Sequence, residues 1–180
     1  MIIALAMAAF AGATAFRAAS GSALPDCIAS QVAINFDNKG GIFSGMSQSG
    51  TLLVVRNISA NACRVPALPM LHFEDAAHHL LSIVRQAPKG MHPGPVVLPV
   101  SIAPGAEATA ELHWVSGDVY GGHICVSPTT AVVQVGADTY RQPFSNRFCS
   151  AVNAPATFTQ TWLKADAAVT PSDGRPAAAK

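Results

Sequence analysis

An all-β chain, a single antiparallel β-sandwich or barrel of about eight strands, is what the 180 residues predict, and three observations point to it. Apolar residues alternate with polar ones in short runs, the period of a half-buried strand. Thirteen prolines and 14 glycines punctuate those runs throughout, as turns do in sandwiches and barrels. Helical periodicity is confined to the first residues and to one turn near the C-terminus.

Residues 1–23 open with an apolar stretch of signal-peptide length followed by small residues, so cleavage is expected near Ala23. Arg17 lies on the far side of that apolar core instead of before it. The β-sandwich domain is then expected over 24–164. The first strand is read from Val32, Ile34 and Phe36, which alternate with Ala33, Asn35 and Asp37. A glycine- and serine-rich loop is expected over 37–50. The contiguous Leu52-Leu53-Val54-Val55 run in 51–58 suits a central strand covered on both faces. Residues 65–73 and 80–84 read as a pair joined by a polar turn at Glu74-Asp75. A second loop, rich in proline and glycine, is expected over 85–95. Val96, Leu98, Val100 and Ile102 alternate up to the Pro104-Gly105 turn. Ala108, Ala110, Leu112 and Trp114 share one face of the next strand, with Thr109, Glu111 and His113 on the other. Strands at 124–126, 131–135 and 158–163 complete the set, with Trp162 expected to cover a sheet edge. Residues 165–180 lack periodicity and are expected to form a disordered Ala/Pro-rich tail.

Charge excludes some functions. Eleven basic and 10 acidic residues leave a net charge of +1, with only 12% charged residues in all. No cluster of Lys and Arg offers a footprint for nucleic acid. No apolar run reaches the roughly 20 residues of a membrane span, so no transmembrane segment is expected in the mature chain.

Four cysteines, Cys27, Cys63, Cys125 and Cys149, occur without close pairs of the zinc-knuckle kind. An even number of well-separated cysteines behind an export signal reads as two disulfides. Three connectivities are possible, and Cys27 with Cys63 and Cys125 with Cys149 is favoured because these pairs close the shortest sequential loops. Localisation is then periplasmic or extracellular.

Several segments, taken together and in order, resemble the bacterial exported family known as domain of unknown function 4232. They are Cys27 at the first strand, Gly50 before the 52–59 run, the 63–69 segment, and 102–108 leading on to Trp114 and Cys125. The resemblance covers about residues 26–149. It implies an exported, often lipid-anchored Ig-like sandwich with no established activity. The family usually has glycine where this chain has Ala67 and Ala77. Cys27 follows Leu24-Pro25-Asp26 instead of a lipobox, so no lipid anchor is expected here.

Chemistry-bearing residues are few. The 45–50 segment has the serine of a nucleophile elbow but carries Ser49 where that motif requires glycine, and it leads into a strand instead of a helix. No catalytic residue and no cofactor is assigned. Met70, His72, His78, His79, Met91 and His92 are the candidate metal ligands, since thioether sulfur suits Cu(I) and imidazole suits copper or zinc. His72 and His79 are expected to approach across the hairpin. Asn57-Ile58-Ser59 fits the glycosylation triplet, but Asn57 is read as closing a strand. Trp114 is read as a core residue near a disulfide. The expected function is a non-catalytic binding or envelope-associated module with a protein, glycan or other envelope ligand, presented on the 37–50 and 85–95 loops. The alternatives are a periplasmic copper- or zinc-binding protein and, more weakly, a small secreted hydrolase.

Overall fold

The computed structural model describes residues 23–87, 97–119 and 121–166. Thirteen strands occur among them: β1 (Val32–Asp37), β2 (Gln48–Asn57), β3 (Cys63–Val65), β4 (Met70–Glu74), β5 (Ile83–Arg85), β6 (Val100–Ile102), β7 (Glu107–Val115), β8 (His123–Val126), β9 (Thr130–Val135), β10 (Asp138–Pro143), β11 (Phe148–Ala151), β12 (Ala156–Gln160) and β13 (Lys164–Ala165). The only helical pieces among the described residues are two three-residue 3-10 turns. A six-stranded sheet runs β1-β2-β7-β12-β5, with β13 also paired to β7. A three-stranded sheet runs β10-β9-β4, and the ladders β11-β8 and β3-β6 complete the set. The all-β class holds, with more and shorter strands than the eight or so expected.

The longest strands form where the sequence alternates most clearly. Ala108, Ala110, Leu112 and Trp114 of β7 are all buried, while Thr109, Glu111 and His113 face outward. Along β2, Leu53 and Val55 are fully buried opposite Ala110 and Ala108, and β1 closes the other side with Val32 and Ile34 inward. Gly50 is required here by close approach. A Cβ at this position would lie 2.6 Å from the Leu112 carbonyl oxygen and 2.9 Å from His113 Nδ1. Between the layers sits an aromatic cluster. Phe73 has its ring centroid 4.9 Å from Phe148, 5.0 Å from Phe144 and 5.4 Å from Phe158, and Trp114 stacks on Phe148 at 4.7 Å. Offset and edge contacts of this kind add to the burial of large apolar surfaces. The Trp114 indole meets its one polar need by donating to the Arg147 carbonyl at 3.0 Å.

Both disulfides form with the favoured pairing. Cys27–Cys63 ties the N-terminal segment to β3, and Cys125–Cys149 joins directly opposed residues of β8 and β11. Asn57 is fully buried at the end of β2. Its Nδ2 donates to the carbonyls of Asn61 and Ile102, and its Oδ1 accepts from Ser59 N and Ser59 Oγ. The side chain of this glycosylation triplet is thus engaged inside the fold as a strand-end tie.

Several expectations are corrected. The 80–84 segment does not lie along 65–73. Leu80 bridges Glu74 once, and β5 then crosses to run parallel to β12, where Ile83 enters the core. The pairing is not purely antiparallel for that reason. The loop after β1 is shorter than expected, because Gln48, Ser49 and Gly50 already pair with Val115, Trp114 and His113. Strands β10 and β11 lie where no strand was expected: β10 returns from β9 through Gly136, whose φ is +61°. Residues 165 and 166 are not tail, because β13 pairs with Ala108 and Thr109 and Asp166 N donates to Glu107 O. Trp162 is half-buried between β12 and β13, with its indole nitrogen buried and without a hydrogen-bond partner. Residues 1–22 of the expected leader, 167–180 of the expected tail and most of the second loop, including Met91 and His92, lie outside the described residues.

Candidate functional site

The outward face of the β10-β9-β4 sheet gathers most of the chemistry-bearing side chains. Alternation along β4 sends Leu71 and Phe73 into the core and puts Met70, His72 and Glu74 on the opposite face. Register sets His72 opposite Val132 on β9, and Val132 opposite Arg141 on β10. Val132 is only 1% exposed although it shares this outward face.

Glu74 is the centre of the cluster. Its side chain is 7% exposed and accepts a two-pronged contact from Arg141, Nη2 to Oε1 at 3.2 Å and Nε to Oε2 at 3.3 Å. This fork geometry is the strong form of a charge-assisted pair. His78 Nδ1 lies 3.4 Å from Oε2, and His72 Nε2 lies 3.8 Å from Oε1. The Arg141 guanidinium, with a smaller contribution from His78, holds the Glu74 carboxyl below its ordinary value against the opposing effect of desolvation.

The hairpin that follows positions the histidines. Asp75 Oδ1 accepts from Ala77 N at 2.8 Å and His79 N at 2.9 Å, a local cap that closes the turn. These N–H donors, His79 first, hold the Asp75 carboxyl below its ordinary value. The residue in left-handed conformation is His78, with φ of +63°, and not its neighbour Ala77. His79 Nδ1 approaches Asp75 Oδ2 at 3.3 Å. The pair that converges is therefore His72 with His78, on Glu74, while His79 turns to Asp75.

Among the described residues no group of three or more His, Cys, Asp or Glu is arranged to hold a metal ion. The physical reason at this cluster is Arg141, which occupies both oxygens of the carboxylate that would otherwise anchor one. The two remaining described histidines are each paired locally: His113 Nε2 lies 3.2 Å from Glu111 Oε2, and His123 Nδ1 lies 3.0 Å from Asp118 Oδ1. Ser49 Oγ donates to Ser116 Oγ at 2.7 Å from within β2. Two residues of the cluster were missed in the sequence. Glu74 was read as part of a turn, yet it is the last residue of β4. Arg141 drew no notice, although the Gly136-Ala137 pair after an apolar strand marks a hairpin that would have brought it back alongside.

The family model for the domain of unknown function (DUF4232) matches residues 27–174. The chain belongs to this family. The match extends past the 26–149 region in which the resemblance was legible, and it includes β12 and β13 of the DUF4232 domain. No curated protein and no solved structure matches the chain. No helix among the described residues is long and apolar enough to cross a membrane.

Proposed function

We propose that this DUF4232 chain is an exported, non-catalytic binding module of Ig-like build. Its binding face is the outer surface of β10-β9-β4 with the hairpin after Glu74, and its partner is a protein or glycan of the bacterial envelope. The observation that supports this reading is the Glu74 cluster. A buried carboxylate held by Arg141 fixes His72, His78 and the hairpin on a rigid sheet, and Met70, 61% exposed, stands beside them. Preorganised polar and soft apolar side chains on a sheet face favour binding because less conformational entropy is lost on contact. Two disulfides of the kind that persist in oxidising compartments support export, with residues 1–23 as the leader.

The test places a photo-crosslinking residue at Met70 or His79, and as a control at Ala33 on the six-stranded sheet, in the chain expressed in its native cells. A discrete adduct from the first two positions and none from Ala33 is the expected result. Adducts at Ala33 alone, or at no position, count against this face. Intact mass of the exported protein checks cleavage near Ala23.

A copper- or zinc-binding role is the second reading, favoured by one observation: Met70 and His72 share the outer face of β4, and His78 converges there. Native mass spectrometry with added Cu(I), Cu(II) or Zn(II) separates the two. A stoichiometric adduct abolished by the His72→Ala/His78→Ala double substitution would replace the first reading. For the weaker hydrolase alternative, labelling of Ser47 or Ser49 by a serine-reactive probe is the corresponding check.

A further inference from the structure

The two disulfides differ in what would have to move before a reductant reached them. Cys63 is fully buried and Cys27 is 6% exposed, both within the hydrophobic core. Cys125 is half-buried on β8, and its partner Cys149 is 2% exposed. Strand β8 is also the less firmly held of the pair. Among the described residues it is hydrogen-bonded to β11 alone, over four residue pairs, and its other edge is open. A two-stranded ladder of that length is marginal without further support. Strand β11 is anchored independently, since Phe148 is buried against Trp114 and Ser150 Oγ donates to Ala154 O. The covalent link therefore supplies much of what keeps β8 in register.

Behind β8 lies a cleft of about 370 Å³. It is lined by Ile124 and Val126 of β8, by the buried Phe148, Ser150 and Ala156, and by the exposed Ser82. Ile124 is half-exposed.

We propose that Cys125–Cys149 is a redox-responsive staple, opened by a dithiol reductant while Cys27–Cys63 stays closed, and that its opening frees β8 and uncovers the buried Phe148 and Ala156 that line this cleft. One thiolate of the reductant attacks Cys125 Sγ, forming a mixed disulfide and expelling Cys149 as a thiolate that takes up a proton. The second thiol of the reductant then attacks its own sulfur in the mixed disulfide, releasing Cys125 as a thiol and leaving the reductant as a cyclic disulfide. Two electrons and two protons pass to the protein. Local opening suffices for this attack at Cys125, whereas Cys27–Cys63 requires the core to open.

The test treats the oxidised full chain briefly with dithiothreitol under native conditions, quenches with a maleimide and maps the labelled cysteines. Cys125 and Cys149 are expected to label about tenfold faster than Cys27 and Cys63, the signature of local against global opening. Hydrogen exchange in β8 should accelerate on reduction, while β7 stays protected. Equal labelling of all four cysteines, or unchanged exchange in β8 after reduction, overturns the proposal. The Cys125→Ser/Cys149→Ser variant should fold with the near-ultraviolet circular dichroism of the oxidised protein and show rapid β8 exchange. Failure of that variant to fold also overturns it, because the link would then hold the whole domain.

Discussion

Asn57 and Glu74 are both buried polar groups at a strand end, and they are satisfied in opposite ways. Asn57 is neutral and fully buried, and its amide is engaged by two carbonyls, one backbone N–H and one hydroxyl, from the turn at Ser59–Asn61 and from Ile102 on β6. Glu74 is charged, and its partners are side chains: a guanidinium and two imidazoles reaching in from the surface. The neutral knot ties a loop to the core and is indifferent to pH. The charged one links two strands, β4 and β10, and a hairpin, and its strength depends on protonation. Buried amides with complete hydrogen bonding serve architecture, whereas a charged group ringed by solvent-accessible partners leaves a surface that conditions and ligands can act on.

Substitution of the neutral knot should have the largest effect. Asn57→Ala removes the amide from the Ile102 carbonyl and from Ser59 N, leaving Ser59 Oγ and Asn61 O to pair with each other, and should cost about 3 kcal/mol, read by urea denaturation. A loss near zero would mean that water replaces the amide and that the contrast with Glu74 is wrong. Next comes Arg141→Ala, which strips the carboxylate of its principal partner. It should destabilise less than Asn57→Ala, and adding Glu74→Gln should restore part of the loss, because the uncompensated charge is then gone. Strict additivity of the two changes would break the claim that they act as a pair.

Acid titration sharpens the comparison further. The folded Glu74 carboxyl lies below its ordinary value of 4.5. Its contribution is therefore complete above the unfolded value and disappears as pH falls through the folded one. Stability measured from pH 7 downward should fall less steeply below about pH 5 in Glu74→Gln, while Asn57→Ala should keep the wild-type slope. Asp75, held down by the N–H groups of its own turn, adds to the slope that remains. The smallest effect is expected from His79→Ala. Its ring pairs with Asp75 in solvent, and the change in stability should stay within about 0.5 kcal/mol by the same denaturation assay. A larger loss would show that the hairpin depends on the imidazole and not on the Asp75 cap.

How much of this was legible in the sequence varies with distance along the chain. The faces of β1 and β7 follow directly from their alternation, because side chains of successive strand residues point to opposite sides. Trp114 could be placed in the core, and Asn57 at a strand end, from their neighbours alone. Strand β10 was not legible, since Asp138-Thr139-Tyr140-Arg141-Gln142-Pro143 is polar at almost every position and gains its place only by pairing with β9. The parallel docking of β5 on β12 joins segments about seventy residues apart, and nothing in a three-residue strand announces its partner. For the site, Met70, His72, His78 and His79 were marked by residue type. Their convergence on Glu74, and the part of Arg141 in it, required the fold.

The sequence by itself determined the all-β class, the inward faces of the longest strands and the membership of a family, because these depend on period-two patterning and on the order of short segments. Loop length favoured one cysteine pairing among three, and the fold decided it by bringing Cys27 to Cys63 and Cys125 to Cys149. Tertiary structure alone decided which strands meet and which buried charge finds its counterion. Glu74 and Arg141 stand 67 residues apart and become partners only because β4 and β10 both pair with β9. Such contacts arise from sheet register, and register is a property of the packed sheet, not of any one segment.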